Sequence, residues 1–267
     1  METNKKIRAK IRAKAKTTSK VRTGIVEKKG TETEIKVESI IETISEFFVF
    51  LRKYTDKTNK NRIFRGAHSL EYELIPSIGR LKKKDEKKLN TGDEAEILDD
   101  FKKMAYPYIK DYNFSELELL SFGRHHGLPT RLLDWTRNPL VALYFAVEKP
   151  FPKNDKIEDE YSCIYIYESE TFIESEEPFN PFTITSFKYY IPKYLDKRII
   201  AQAGLFIVLD DPYTPWKQDG LKKVLIHKKI RSDIKQILNR MGINASTLFP
   251  DLDGIAKYVE WWHSSLH

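Results

Sequence analysis

The stretch from Ser121 to Val147, SFGRHHGLPTRLLDWTRNPLVALYFAV, constrains this chain more than any other. Arg124, His125, His126, Arg131, Asp134, Trp135 and Thr136 fall within thirteen positions of it. Its punctuation is equally dense. Gly127 and Pro129 break whatever helix precedes them. Asn138 offers a helix N-cap, and Pro139 suits the first helical position, where its missing N–H is not needed. Val141, Ala142, Phe145 and Ala146 then recur at helical spacing, so LVALYFAV reads as a buried helix. The spacing predicts a polar, aromatic turn held between two apolar helices, a common mount for a site.

The flanking chain predicts a mixture of helices and strands. Ile40, Ile41, Ile44, Phe47, Phe48, Leu51 and Tyr54 trace an amphipathic helix from about Glu34. Arg62 to Gly66 reads as a short strand, and Tyr72 to Arg80 as irregular. Helical spacing returns from Glu94 to Tyr106, and Pro107 is expected to end or kink that helix. Ser115 and Glu118 form a capping-box pair ahead of the central stretch. Beyond it, YSCIYIY (161–167), GLFIVLD (204–210) and KVLIH (223–227) read as strands. Residues 168–195 read as a long excursion. Ser232 is expected to cap a helix that Gly242 stops, and a last helix carries Ile255, Tyr258, Val259 and Trp262. Helices and strands neither alternate strictly nor segregate. The expected class is therefore α+β, a small mixed or antiparallel sheet flanked by helices.

Charge is unevenly placed. The 267 residues carry a net +7, yet residues 1–30 hold eleven Lys or Arg against two Glu, which leaves the remainder at −2. Residues 1–33 therefore read as a basic, disordered leader, and 34–267 as a single domain. The run 5–29 can pair with nucleic-acid phosphates or stand as a solvated leader. The single cysteine, Cys163, permits no internal disulfide. With no apolar run of about 20 residues and no signal-peptide segment, the reading is a cytoplasmic protein without a membrane partner.

Several chemistries are disfavoured. Adjacent His125 and His126 diverge on a helix and lack supporting thiolates or HExxH spacing, so no metal is expected. Cys163 sits mid-strand among apolar residues, the usual place of an inert thiol. No Walker or GxGxxG loop occurs. What remains is Arg65, beside a glycine at a strand end, with Arg131, Asp134, His125 and Gln202. Such an arginine can fork onto a carboxylate or a phosphate. Either Arg65 or Arg131 can pair with Asp134 as an internal clamp; Arg131, three positions from Asp134, is the expected partner, leaving Arg65 for a ligand. Phe64-Arg65-Gly66, residues 124–136 and Gln202 are expected to converge on one cleft.

The same residues carry a resemblance. GLPTRLLDWTRNPLVALYFA resembles the signature of the FRG domain family, and Phe64-Arg65-Gly66, in NRIFRGAHSLEYELIPSIGR, resembles its name-giving motif. RIIAQAGLFIV (198–208) and LFPDLDGIAKYV (248–259) fit the same family. The family more often has Gln-His-aromatic-Gly where this chain has Arg124-His125-His126-Gly127. The order of parts also resembles ADP-ribosyltransferases, in which a first-strand Arg holds NAD, a Ser-Thr-Ser turn supports the site and a Glu assists transfer. Arg65 matches the first part. Thr130 and Gln202 lie near the second and third, but Gln202 is not Glu, and an amide cannot serve as base.

The resemblance implies two alternative functions. One is an NAD-using, ADP-ribosyltransferase-like toxin or antiviral-defence effector of bacterial or phage type, with Arg65, His125 and Gln202 as catalytic residues and NAD as substrate. Phe64, Arg65, Gly66, Arg124, Thr130, Arg131, Asp134, Trp135 and Thr136 would then line the nucleotide cleft. The other is a non-catalytic sensor or interaction module that binds a nucleotide or a protein.

Overall fold

The computed structural model describes residues 35–55, 61–83, 87–149, 160–169, 179–193 and 197–264. The basic leader expected over residues 1–33 lies outside them. Residues Ile35–His267 form one compact unit.

Among the described residues seven strands build one mixed sheet in the order β1-β7-β4-β2-β3-β6-β5. The strands are β1 (Lys36–Ile41), β2 (Arg62–Ala67), β3 (Leu132–Thr136), β4 (Tyr161–Glu168), β5 (Lys188–Tyr190), β6 (Gly204–Val208) and β7 (Leu221–His227). β1 runs parallel to β7, and the other neighbours are antiparallel. The helices are α1 (Ile44–Tyr54), α2 (Thr91–Ile109), α3 (Glu116–His125), α4 (Pro139–Val147), α5 (Lys197–Ala201), α6 (Arg231–Arg240), α7 (Ala245–Leu248) and α8 (Leu252–Ser264). The class is α+β, with a larger sheet than the sequence suggests.

Five elements differ from expectation, among them α6, which starts at Arg231 with no side-chain cap and takes Ser232 into its first turn. Ile40 and Ile41 lie in β1 rather than in a helix, because α1 starts behind Thr43, whose hydroxyl and the Glu46 carboxylate form a capping box. The supposed central turn contains β3, which pairs over its full length with β6. Its partner lies some seventy positions on, beyond the reach of local periodicity. β5 appears inside the excursion. Helix α2 continues through Pro107 to Ile109. Other elements match: the Ser115–Glu118 capping box heads α3, and Asn138 with Pro139 starts α4.

Among the described residues two apolar cores flank this sheet. Phe64, Ile164, Ile166, Val224 and Ile226 pack against Phe47 and Phe50 of α1, against α4, and against Ile234 and Leu238 of α6. Leu132, Phe206 and Val208 pack instead against Leu98 and Ile109 of α2 and Leu117 and Leu120 of α3. Between these halves the sheet is barely stitched. Among the described residues β2 and β3 share one register pair, Phe64 opposite Thr136, whereas β2 and β4 share six.

Candidate functional site

The Phe64-Arg65-Gly66 motif works by strand alternation, which sends successive side chains to opposite faces. Phe64 is 2 % exposed and belongs to the α4 core. Gly66 faces α4 as well. A Cβ there would run into the Ala142 carbonyl oxygen and lie 2.7 Å from the Ala146 backbone nitrogen. The room beside Gly66 is thus taken by helix backbone, not left for a ligand. Arg65 points elsewhere, across the gap where β2 and β3 part. Its Nη1 donates to the Asp134 carbonyl oxygen and lies 3.3 Å from Asp134 Oδ2.

Asp134 is the centre of the cluster. Arg124, in the last turn of α3, donates from Nε to Asp134 Oδ1 at 2.6 Å and from Nη2 to Oδ2. Arg124 Nη1 donates to Ser77 Oγ at 2.9 Å. Ser77 Oγ also accepts the Thr130 backbone N–H at 3.1 Å, tying the 68–81 segment to the entry of β3. Arg80 stands within electrostatic range of both Arg65 and Arg124, anchored by donation from Nε and Nη2 to the Ile75 carbonyl. Two guanidiniums therefore hold one carboxylate, and a third stands nearby. The Asp134 side chain is 47 % exposed, against 21 % for Arg65 and 19 % for Arg124.

Burial would raise the Asp134 carboxyl, but Arg124 and Arg65 overcome it and hold the group well below the usual carboxylate range. Burial lowers Arg65, an effect Asp134 opposes and Arg124 and Arg80 reinforce. Asp134 is consequently ionised at neutral pH. It can orient arginines but cannot take up a proton near neutral pH.

The pairing expected between Arg131 and Asp134 does not form. Arg131 and Glu94, each 1 % exposed, pair with one another. Glu94 Oε1 accepts the Arg131 backbone N–H at 2.8 Å and Oε2 accepts its Nε–H at 2.9 Å, while Nη1 donates to the carbonyls of Pro181 and Leu209. Four hydrogen bonds to three residues lock Arg131 inside the protein, so it has no reach toward a ligand. The signal was present in the sequence: Glu94 shares a helical stripe with Leu98 and Phe101, and a charge on an apolar stripe needs a buried partner.

Other residues singled out in the sequence also serve the scaffold. Thr130 is fully buried, and its carbonyl receives the Ile78 N–H. Trp135 is 3 % exposed, its ring 5.6 Å from that of Trp216. Thr136 Oγ1 donates to the Gln202 carbonyl at 2.6 Å and accepts the Asn138 N–H. Gln202 spends its side-chain amide on the Leu248 carbonyl at 3.0 Å. Ala203, beside it, holds a φ of 45°, and its carbonyl receives the Arg137 N–H. His125 lines a cavity of about 320 Å³ with His126, Tyr190 and Arg198, where Arg198 pairs with Asp251. Arg65, Arg124 and Asp134 thus come together. The side chains of Gln202 and His125 are engaged elsewhere. Ser77 and Arg80 complete the cluster unannounced. Cys163 is fully buried, and burial pushes its thiol up to about 11.

Residues 60–155 match the model of the FRG domain. The chain carries an FRG domain. The matched span includes Phe64-Arg65-Gly66, Ser77, Arg80, α3, β3 and α4, so the whole Asp134 cluster lies inside it. Gln202 and the later strands lie beyond it. Neither a curated protein nor a solved structure matches the chain. Among the described residues no helix is long and apolar enough to cross a membrane.

Proposed function

We propose that the FRG domain is a nucleotide-recognition module that reads phosphate through Arg65, Arg80 and Arg124 and performs no transfer reaction. One observation carries this reading: Arg65 and Arg124 both pair with a single ionised carboxylate and Arg80 stands nearby, leaving positive charge in excess on a partly exposed face. Asp134 orients Arg65 and Arg124, and a guanidinium is the side chain best suited to fork onto a phosphate. NAD or ADP-ribose is the ligand class that goes with the resemblance. The transferase alternative loses support from the same geometry. Asp134 is held ionised, the Gln202 amide is bonded to the scaffold, and His125 faces a different cavity. The setting that accompanies this reading, a toxin or antiviral-defence effector, rests on the resemblance.

Calorimetric titration of the full chain with NAD and with ADP-ribose tests the proposal. Arg80→Ala removes a largely exposed arginine outside the Asp134 ion pairs, so the fold should survive. Its affinity should fall about 10- to 100-fold, the worth of a charged hydrogen bond. Unaltered affinity in Arg80→Ala, or no binding by the parent, overturns the reading. Release of nicotinamide by the parent protein reinstates the transferase.

A further inference from the structure

A cavity of about 880 Å³ lies between the C-terminal end of α4, the first turns of α6 and one side of α8. Six cationic side chains line it: Lys149, Lys228, Lys229, Arg231, Lys235 and Lys257. Two carboxylates, Glu148 and Glu260, oppose them. Aromatic rings of Tyr258 and Trp261 line the α8 wall.

Two of the cations are fixed by the scaffold. Arg231 Nη2 donates to the Lys149 carbonyl at 2.7 Å, and Lys235 Nζ to the Glu148 carbonyl at 2.8 Å, so both cap the end of α4. Lys235 Nζ also stands 4.9 Å from the centre of the Trp261 ring. Burial pushes Arg231 down to about 10 and lowers Lys235 as well. Burial also raises the Glu148 carboxyl, an effect that Lys149, Lys235 and Lys257 oppose. Lys229 and Lys257 stand exposed on different walls, one before α6 and one on α8. The result is a concave, cation-rich chamber with aromatic rings along one side, of a size that holds a small organic ligand.

We propose that this chamber is a second ligand site, taking a nucleotide with its phosphates among Lys229, Lys235 and Lys257 and its base against Tyr258 and Trp261. None of its lining residues belongs to the Asp134 cluster, so it stands or falls independently of the Arg65 reading. The physical basis is charge-assisted hydrogen bonding to phosphate, together with stacking that any base can supply. The phosphate can come from a free nucleotide or from a strand of nucleic acid.

The test is calorimetric titration of the full chain with ATP, adenosine, inorganic phosphate and a short single-stranded oligonucleotide. ATP should bind, and adenosine should bind far more weakly. Lys229→Glu and Lys257→Glu should each weaken ATP about tenfold or more, because each replaces attraction with repulsion at an exposed position. Trp261→Leu, shown folded by its melt, should weaken ATP more than inorganic phosphate. An oligonucleotide that binds more tightly than ATP, and is lost in the same two variants, identifies a strand as the source. The proposal is overturned if both charge-reversal variants keep the parent affinity, if adenosine matches ATP, if Trp261→Leu binds ATP like the parent, or if no phosphate-bearing probe binds.

Discussion

Arg65 and Asp134, sixty-nine positions apart, meet across the seam where the sheet is held by one register pair, with Arg65 Nη1 3.3 Å from Asp134 Oδ2 and bonded to the Asp134 carbonyl. The side chain thus joins two half-sheets that their backbones barely join. The prediction is coupling. Arg65→Lys and Asp134→Asn should each destabilise the protein, and the double mutant should lose less than their sum by about 0.5–3 kcal/mol, the range for residues in one ion-pair network. Urea denaturation of the four proteins measures it. Strict additivity would mean that Arg65 does not hold the seam.

The acid side of the stability profile should report Asp134. Its folded carboxyl titrates below the unfolded value of about 3.9. A depressed carboxylate contributes stability above the unfolded value and loses it as the pH falls through the folded one. Melting temperatures from neutral pH to about pH 2 should therefore fall less steeply below pH 4 in Asp134→Asn than in the parent. Parallel acid limbs would show that Arg124 and Arg65 do not depress this group.

Arg131 and Glu94 make a harsher test, since both are buried. Glu94→Gln strips the guanidinium of its counter-charge and should cost about 3–5 kcal/mol. Replacing the pair together, Arg131→Met with Glu94→Leu, should recover much of that loss, because no unpaired charge remains. A Glu94→Gln protein as stable as the parent in denaturant titration would refute the pairing.

Gly66→Ala should lower stability by about 1–3 kcal/mol or more, because a methyl there meets the backbone of Ala142 and Ala146 rather than a yielding side chain. Since Gly66 seats a helix and does not face the cluster, any variant that remains folded should keep its affinity for NAD or ADP-ribose. Loss of affinity with unchanged melting would reverse that assignment.

Ala203 offers a gain. Its φ of 45° lies in the left-handed region that disfavours side chains. Ala203→Gly should raise stability by up to about 1 kcal/mol, the difference between relieved strain and added chain entropy. A lower melting temperature would show that the methyl packs usefully there.

Local chemistry was legible along the chain wherever neighbours in sequence decide the outcome. Ser115 with Glu118 and Asn138 with Pro139 announced where α3 and α4 begin, because a cap is satisfied within three residues. The apolar run of α4 declared burial, and Phe64-Arg65-Gly66 with the 121–147 stretch marked the FRG domain. Pairing over distance was not legible. Leu132–Thr136 became a strand only because β6 supplies its hydrogen bonds. Arg131 found Glu94 thirty-seven positions away instead of Asp134 three away, because a buried guanidinium goes where a buried carboxylate can surround it. Asp134 in turn was claimed by Arg124, ten positions back at the end of α3, and by Arg65 from across the seam. The sequence named the charged residues of the cluster; the packing of helices on a split sheet decided which of them are buried and which stay partly exposed.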